Sequence, residues 1–110
     1  MSSLNGPTPT GDNYIQVLTL HAAAGRGDEL RRGVAAVLAP TWAEPGCILY
    51  YLHEDFADPQ TLLIYEIWRD EEALETHTES EHVRAISREL PGLLAEPMTA
   101  VRLRYVPASG

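Results

Sequence analysis

The 110-residue chain has little or none of three features that would place it in a familiar class of protein. Its only cysteine is Cys47, so it can form neither an internal disulfide nor a thiolate metal cluster. No segment approaches the roughly 20 consecutive apolar residues of a membrane span. Lys and Arg together number 8 against 16 Asp and Glu, which gives a net charge of −8. Nucleic acids and anionic membranes need clustered basic side chains, so we expect neither as a partner.

The two ends of the chain differ in composition from its middle. Residues 1–13 are rich in Ser, Gly, Pro and Thr, which predicts a flexible tail, and residues 107–110 are expected to form a shorter one. The first tail has neither the basic nor the apolar segment of a signal peptide, so a cytoplasmic location is the default expectation. Residues 14–106 then form a single domain, for which 45% hydrophobic residues are enough to build a core.

Hydrophobic patterning predicts four strands, at residues 14–21, 47–53, 62–68 and 98–106. The two middle strands are joined by a loop at residues 54–60, whose Asp and Pro content is typical of a hairpin connection. Cys47 begins the second strand just after a turn, which favours a buried structural thiol over a reactive one.

Helical segments are predicted between these strands. The first has Asp28 as its N-cap, carries apolar residues at the spacing of one helix face, and is ended by Pro40. Asp70 caps a short helix, and Ser80 caps a second helical segment that Pro91-Gly92 stops. The order is βαββαβ, so we predict an α+β fold of the ferredoxin-like type with helices on one face of a four-stranded antiparallel sheet.

The two middle strands are apolar or aromatic almost throughout, with Glu66 as the exception. Strands of this composition are buried on both faces, but the predicted helices cover only one. The other face would be a large exposed apolar patch in a monomer. A second copy of the chain, packed sheet against sheet, would cover it, so a homodimer is expected.

Short motifs follow one another along most of the domain: Glu44-Pro45-Gly46-Cys47, Tyr50, Asp58-Pro59, Tyr65-Glu66-Ile67-Trp68, Ala73-Leu74, His77 and Ser80-Glu81-His82. Their order and spacing resemble the antibiotic biosynthesis monooxygenase family. This resemblance implies a dimeric α+β barrel with a pocket between sheet and helices in each subunit. It also implies oxidation of a small electron-rich aromatic substrate, such as a quinol, polyphenol or polyketide anthrone, by dioxygen and without a metal, flavin or haem cofactor.

The same family contains proteins with other functions, and these leave two alternatives. One is a non-catalytic dimeric domain that binds a small molecule or assists another protein. The other is an isomerase or a haem-degrading enzyme on the same fold. Bound haem would be visible as an absorption band, which separates that alternative from the others.

Glu66 and Trp68 are two residues apart on one strand, so they share a face. An ionised acid inside an apolar strand costs several kcal/mol if it is left unpaired, so Glu66 must pair, reach water or line a pocket. The paired alternative is an arginine such as Arg102 or Arg104, across the sheet or across the dimer. Trp68 is either a core or interface aromatic or, as the resemblance implies, a residue that packs on the substrate.

His77 is the candidate general base, because a histidine titrates near neutral pH and could accept a phenolic proton. A surface or core histidine is the alternative. Besides the catalytic pair His77 and Glu66, the expected substrate-binding residues are Trp68, Tyr50, Tyr51, His53 and His82. Tyr50 and Tyr51 point to opposite faces of their strand, so one of them is expected in the pocket and the other at the dimer face.

Metal and nucleotide cofactors are not expected. His77 and His82 are five residues apart, which is not the i, i+4 spacing that places two ligands on one helix face. The sequence also has no glycine-rich phosphate loop. Dioxygen is therefore the only co-substrate expected.

Overall fold

The computed structural model describes residues 9–108, so part of each predicted tail, residues 1–8 and 109–110, lies outside the described residues. The described chain forms β1 (Tyr14–His21), α1 (Gly27–Trp42), β2 (Cys47–Asp55), β3 (Asp58–Trp68), α2 (Glu71–Thr78), α3 (Glu81–Leu93) and β4 (Thr99–Leu103). None of the helices within residues 9–108 is both long enough and apolar enough to cross a membrane.

The four strands form one antiparallel sheet in the order β2-β3-β1-β4. The prediction of an α+β, ferredoxin-like fold is therefore confirmed. The sheet has an inner face, which packs against the helices, and an outer face. Leu30 and Val34 of α1 pack in one cluster with Leu20, Ile64 and other inner-face residues, so the core lies between the sheet and the helices.

Cross-strand pairing places residues in rows that share a face. One row on the inner face consists of Tyr50, Glu66, Gln16 and Arg102, and one row on the outer face consists of Tyr51, Tyr65, Val17 and Val101. A bulge in β2 lies between Cys47 and Leu49. Because of this bulge Cys47 packs against the core, and the simple alternation that would put it on the same face as Leu49 does not hold.

The predicted ends of the helices are wrong in three places. α1 begins at Gly27 without a side-chain cap, so Asp28 is not its N-cap, and it continues through Pro40 to Trp42. α3 runs through Pro91 and Gly92 to Leu93, which is buried. A proline near the end of a helix removes only one backbone hydrogen bond, and the burial of residues beyond it offsets that loss. Asp70 and Ser80 do cap α2 and α3, as predicted.

The strands differ from the prediction at the hairpin and at the end of the domain. β2 extends to Asp55 and β3 starts at Asp58, so a two-residue turn replaces the predicted loop at residues 54–60. The side chain of Asp55 accepts a hydrogen bond from the backbone N–H of Ala57 and stabilises this turn. β4 is shorter than predicted and covers only Thr99–Leu103.

Candidate active site

A cavity of about 300 Å³ lies between the inner face of the sheet and the three helices. Apolar side chains from β1, β3, α1 and α3 form most of its wall, and four of its polar residues are Gln16, Tyr50, Glu66 and His77. A largely apolar cavity of this size with a few converging polar groups is typical of a small-molecule site. The structure therefore places the predicted catalytic pair, Glu66 and His77, in the wall of one cavity within a single subunit.

Glu66 is fully buried and is held by two donors on one of its oxygens. Trp68 Nε1 donates to Glu66 Oε1 at 2.6 Å, and Gln16 Nε2 donates to the same oxygen at 3.1 Å. The other oxygen, Oε2, is buried and has no hydrogen-bond partner among residues 9–108.

The arginine partner considered for Glu66 is absent from its surroundings in the described chain. Arg102 belongs to the same inner-face row, but β1 and its Gln16 lie between the two residues. Neighbouring strands are about 4.8 Å apart, so two strand spacings separate the backbones of Glu66 and Arg102. The Arg102 guanidinium instead lies over the ring of Tyr14, 4.1 Å from its centroid.

His77 reaches the cavity because α2 packs closely against the turn before β2. Asp70 fixes the start of α2 by accepting a hydrogen bond from the N–H of Ala73 at 2.8 Å. Gly46 allows the close approach, since a Cβ at this position would lie 2.4 Å from the Cβ of Ala73. The buried His77 ring then lies 4.5 Å from the Trp68 ring and 5.3 Å from the Tyr50 ring, measured between centroids.

Glu44 binds two histidines through one carboxylate oxygen. Its Oε2 is 2.8 Å from Nδ1 of His77 and 2.8 Å from Nε2 of His82. The ligand-type atoms of these three residues all lie within 4.8 Å of one another. His77 and His82 lie on different helices, α2 and α3, so their spacing along a single helix does not describe their relation in space. Nothing in the sequence marks Glu44 as a partner of residues more than 30 positions away.

Trp68 is completely buried and is absent from the cavity wall. It contacts residues of the cavity wall without reaching the cavity itself: it donates a hydrogen bond to Glu66, and its ring packs against the rings of His77 and Tyr50. The expectation that Trp68 packs on the substrate ring is corrected on this point: it supports the two catalytic candidates and does not line the space between them.

Of the two adjacent tyrosines, Tyr50 lines the cavity and Tyr51 does not. Tyr51 is half-exposed on the outer face, where its ring makes an edge contact with Trp42. His53 is exposed on that same outer face. His82 is absent from the cavity wall but is close to the site, because it contacts Glu44 and its ring centroid lies 6.0 Å from that of His77. The structure thus separates Tyr51 and His53 from the cavity because alternate residues of a strand face opposite sides.

Burial raises the pKa values of three groups around the cavity. Burial, together with the nearby carboxylates of Glu44 and Glu66, raises the pKa of Cys47 to about 11, in keeping with a structural thiol. Burial, followed by the charges of Glu66, Cys47 and Glu44, raises the pKa of Tyr50 above its ordinary value. Burial also raises the pKa of Glu66, although the hydrogen bonds from Trp68 and Gln16 act in the opposite direction.

Comparison with known proteins identifies a family and several similar structures. The family described as Antibiotic biosynthesis monooxygenase matches residues 13–89. PA3566 from Pseudomonas aeruginosa is 34% identical with a TM-score of 0.84, and the match covers 87% of this chain and 96% of that one. A crystal structure named antibiotic biosynthesis monooxygenase is 23% identical with a TM-score of 0.80 and shares the fold over 86% of this chain and 99% of that one.

A sequence relative comes from Synechocystis and is called Uncharacterized protein sll1783. It is 35% identical over 60 residues, which are 54% of this chain and 41% of that protein. The match therefore spans less than half the length of this relative.

Proposed function

The chain belongs to the antibiotic biosynthesis monooxygenase family, and we propose that it is a cofactor-independent monooxygenase that oxidises an electron-rich aromatic substrate, such as a quinol, polyphenol or anthrone, with dioxygen. One observation carries the proposal. His77 lines a largely apolar cavity, its Nδ1 is bound by Glu44, and its Nε2 has no hydrogen-bond partner among residues 9–108. A histidine held in this way has a free nitrogen with which to accept a proton from a substrate in the cavity.

The reaction would proceed in three steps. His77 Nε2 removes a proton from a phenolic hydroxyl, which leaves an electron-rich phenolate, or from an activated C–H group, which leaves a carbanion. This anion transfers an electron to dioxygen, and the resulting radicals combine in a C–O bond to give a peroxide, which takes the proton back from His77. Loss of water from the peroxide breaks the O–O bond, so one oxygen atom ends in a product carbonyl and the other in water. The substrate supplies all the electrons.

Glu44 has a positioning role in this mechanism. A carboxylate next to Nδ1 favours the tautomer that carries its proton on Nδ1, which leaves the Nε2 lone pair free. The same carboxylate would stabilise the imidazolium that forms when His77 accepts a proton.

The substitution Glu44→Gln tests this role. It keeps the size of the side chain but removes the charge, and its amide can donate to Nδ1 and so favour the wrong tautomer. A positioned base contributes roughly 100- to 10,000-fold to the rate, so we expect kcat to fall by about tenfold or more with little change in KM. The measurement is oxygen consumption with a hydroquinone over a range of pH. An unchanged kcat and pH profile would remove Glu44 from the mechanism.

The outer face of the sheet supports a homodimer as the working form. Tyr51 and Val101, at the two ends of the apolar outer-face row, are 53% and 58% exposed, and Leu103 on the same face is 40% exposed. Exposed apolar side chains from edge to edge of a sheet are typical of a surface that another protein covers. A symmetric pair would bury this face of both copies.

We predict that light scattering at micromolar concentration will give about twice the chain mass of 12.1 kDa. The variant Val101→Asp should shift the protein toward the monomer, because a buried unpaired charge is costly. The variant Phe56→Asp is the matched control, because Phe56 is exposed at the hairpin turn, and it should not change the mass. A stable monomer in the unmodified protein would contradict the sheet-to-sheet dimer.

The cluster of Glu44, His77 and His82 favours a second candidate function, the binding of a divalent metal ion. Two imidazole nitrogens and a carboxylate oxygen within 4.8 Å of one another are a donor set that suits a divalent metal such as Zn²⁺. The substitution His82→Ala separates the two candidates. It should leave the general-base reaction within a few-fold of the original rate, whereas it would remove one of three ligands from a metal site. Calorimetric titration with Zn²⁺ and elemental analysis of the purified protein measure the metal directly.

A further inference from the structure

The two oxygens of Glu66 have different surroundings. Oε1 accepts two hydrogen bonds, from Trp68 and Gln16. Oε2 is buried and has no partner among residues 9–108, although Glu66 belongs to the cavity wall. A buried polar atom without a partner is uncommon in folded proteins and calls for an explanation, and in the wall of a cavity a hydrogen bond to a bound molecule provides one.

The surroundings of Glu66 offer no stable positive charge. Glu66 takes part in no ion pair within residues 9–108. Gln16 from β1, Tyr50 from β2 and His77 from α2 face it, and the Glu44 carboxylate and the Cys47 thiol are also near enough to interact with it. Neither of these two carries a positive charge, and the side chain of His77 is already bound through Nδ1 to Glu44. The α1 and α3 residues of the cavity wall are uncharged, among them Val34 and Leu90. An ionised Glu66 would therefore be a buried carboxylate without a counter-ion, which is strongly unfavourable.

We propose that Glu66 is a neutral carboxylic acid whose Oε2–H group donates a hydrogen bond to an acceptor oxygen of the ligand, so that the cavity selects aromatic molecules that carry a carbonyl group. This proposal rests on the site of the proposed function and adds a requirement to it. A ligand must present an acceptor on the side of Glu66, in addition to an acidic group on the side of His77. The raised pKa of Glu66, caused first by its burial, agrees with the neutral form.

The neutral acid would also assist the chemistry. When His77 removes a proton from a hydroxyl or C–H group conjugated to a carbonyl, negative charge spreads onto the carbonyl oxygen. A hydrogen bond to that oxygen becomes stronger as the charge develops, which lowers the energy of the anion. An acid kept neutral in an apolar site can provide this bond at neutral pH.

The test compares Glu66→Gln with Glu66→Leu. Glutamine is the closest analogue of the neutral acid, because its carbonyl can accept from Trp68 and Gln16 while its NH₂ group donates in place of Oε2–H. Leucine has similar size and no donor. The probes are fluorenone and fluorene, which differ only in the presence of the carbonyl, and binding is followed by fluorescence of Trp68 in a Trp42→Phe background.

We expect the unmodified protein and Glu66→Gln to prefer fluorenone by roughly tenfold, the size of one good hydrogen bond in an apolar site, and Glu66→Leu to show no preference. If the unmodified protein shows no preference and Glu66→Gln acquires one, Glu66 is ionised and the proposal is wrong. The same conclusion follows if the preference survives in Glu66→Leu.

An infrared difference spectrum of the unmodified protein against Glu66→Gln gives a test that needs no ligand. The carbonyl band of a protonated carboxylic acid should be present at neutral pH and absent in the variant. Without this band the proposal fails, whichever probe binds. Neither measurement depends on turnover, so the proposed monooxygenase activity can fail while the neutral donor is confirmed, and the reverse outcome is equally recognisable.

Discussion

Replacement of His77 by alanine is expected to lower the rate of oxygen consumption with a hydroquinone by at least about 100-fold, the lower end of a general-base effect. His77 is the cavity-lining residue whose ring is both anchored by a carboxylate and left with one free nitrogen. Without it, the substrate would have to lose its proton to water inside a largely apolar cavity. The measurement is the initial rate at an oxygen electrode with the substrate above its KM, so that kcat is compared.

The His77 side chain also packs in the core, so alanine alone is an ambiguous variant. It is buried, and its ring contacts those of Trp68 and Tyr50, which means that the melting temperature should fall. The variant His77→Gln fills more of the space and still lacks a basic nitrogen, so it should lose as much activity with less loss of stability. His53→Ala is the matched control, because His53 lies on the outer face of the sheet, away from the cavity.

Full turnover in both His77 variants would show that this histidine is not the base. If the unmodified protein consumed no oxygen with any quinol or anthrone but still bound aromatic ligands, the chain would be a binding domain. A visible absorption band after addition of haem would favour a haem-degrading enzyme. These outcomes correspond to the alternatives that the sequence left open.

The fold could be predicted because its signals are local and repeated. Alternation in the strands, the caps Asp70 and Ser80, and the order of the elements all point to one arrangement, and errors at Pro40 and Pro91 changed only the ends of helices. A proline indicates where a helix loses a hydrogen bond. It does not indicate whether the residues beyond it are buried strongly enough to continue the helix.

The site could be predicted only in part. The parity of a strand is a local property, so the prediction that Tyr50 and Tyr51 face opposite sides is confirmed by the structure, in which Tyr50 lines the cavity. The partners of a side chain are not local. Gln16 and Glu44 reach Glu66 and His77 from segments 50 and 33 residues away, and only the sheet register and the approach of α2 bring them together.

Of the two alternatives for Glu66, the ion pair with Arg102 is not formed within the described chain, because β1 lies between the two residues. Arg102 shares an inner-face row with Glu66, which made an ion pair reasonable, but strand order cannot be read from the composition of the strands. With β1 between them, Gln16 occupies the position next to Glu66. A neutral amide in place of a cation leaves the buried acid without a counter-ion among residues 9–108, and this is one basis of the proposal that Glu66 is neutral.

Trp68→Ala is expected to have the largest effect on stability, a loss of about 3–5 kcal/mol in the free energy of unfolding. Trp68 is completely buried in the main core cluster, so its removal leaves a cavity and also takes one of the two donors from Glu66 Oε1. Domains of this size are stable by roughly 5–15 kcal/mol, so much of the total would be lost. The measurement is urea denaturation followed by circular dichroism at one fixed protein concentration, because dimerisation would make stability depend on concentration.

The other tryptophan provides the control for Trp68. Trp42 is 51% exposed, and its Nε1–H donates to the backbone oxygen of Tyr50 at 2.6 Å. Trp42→Ala removes this hydrogen bond and an edge contact but opens no internal cavity, so it should cost about 1–2 kcal/mol. Trp68→Phe keeps most of the ring volume and loses the hydrogen bond to Glu66, so its cost should fall between those of the two alanine variants. Equal losses for Trp42→Ala and Trp68→Ala would contradict the assignment of Trp68 to the centre of the core.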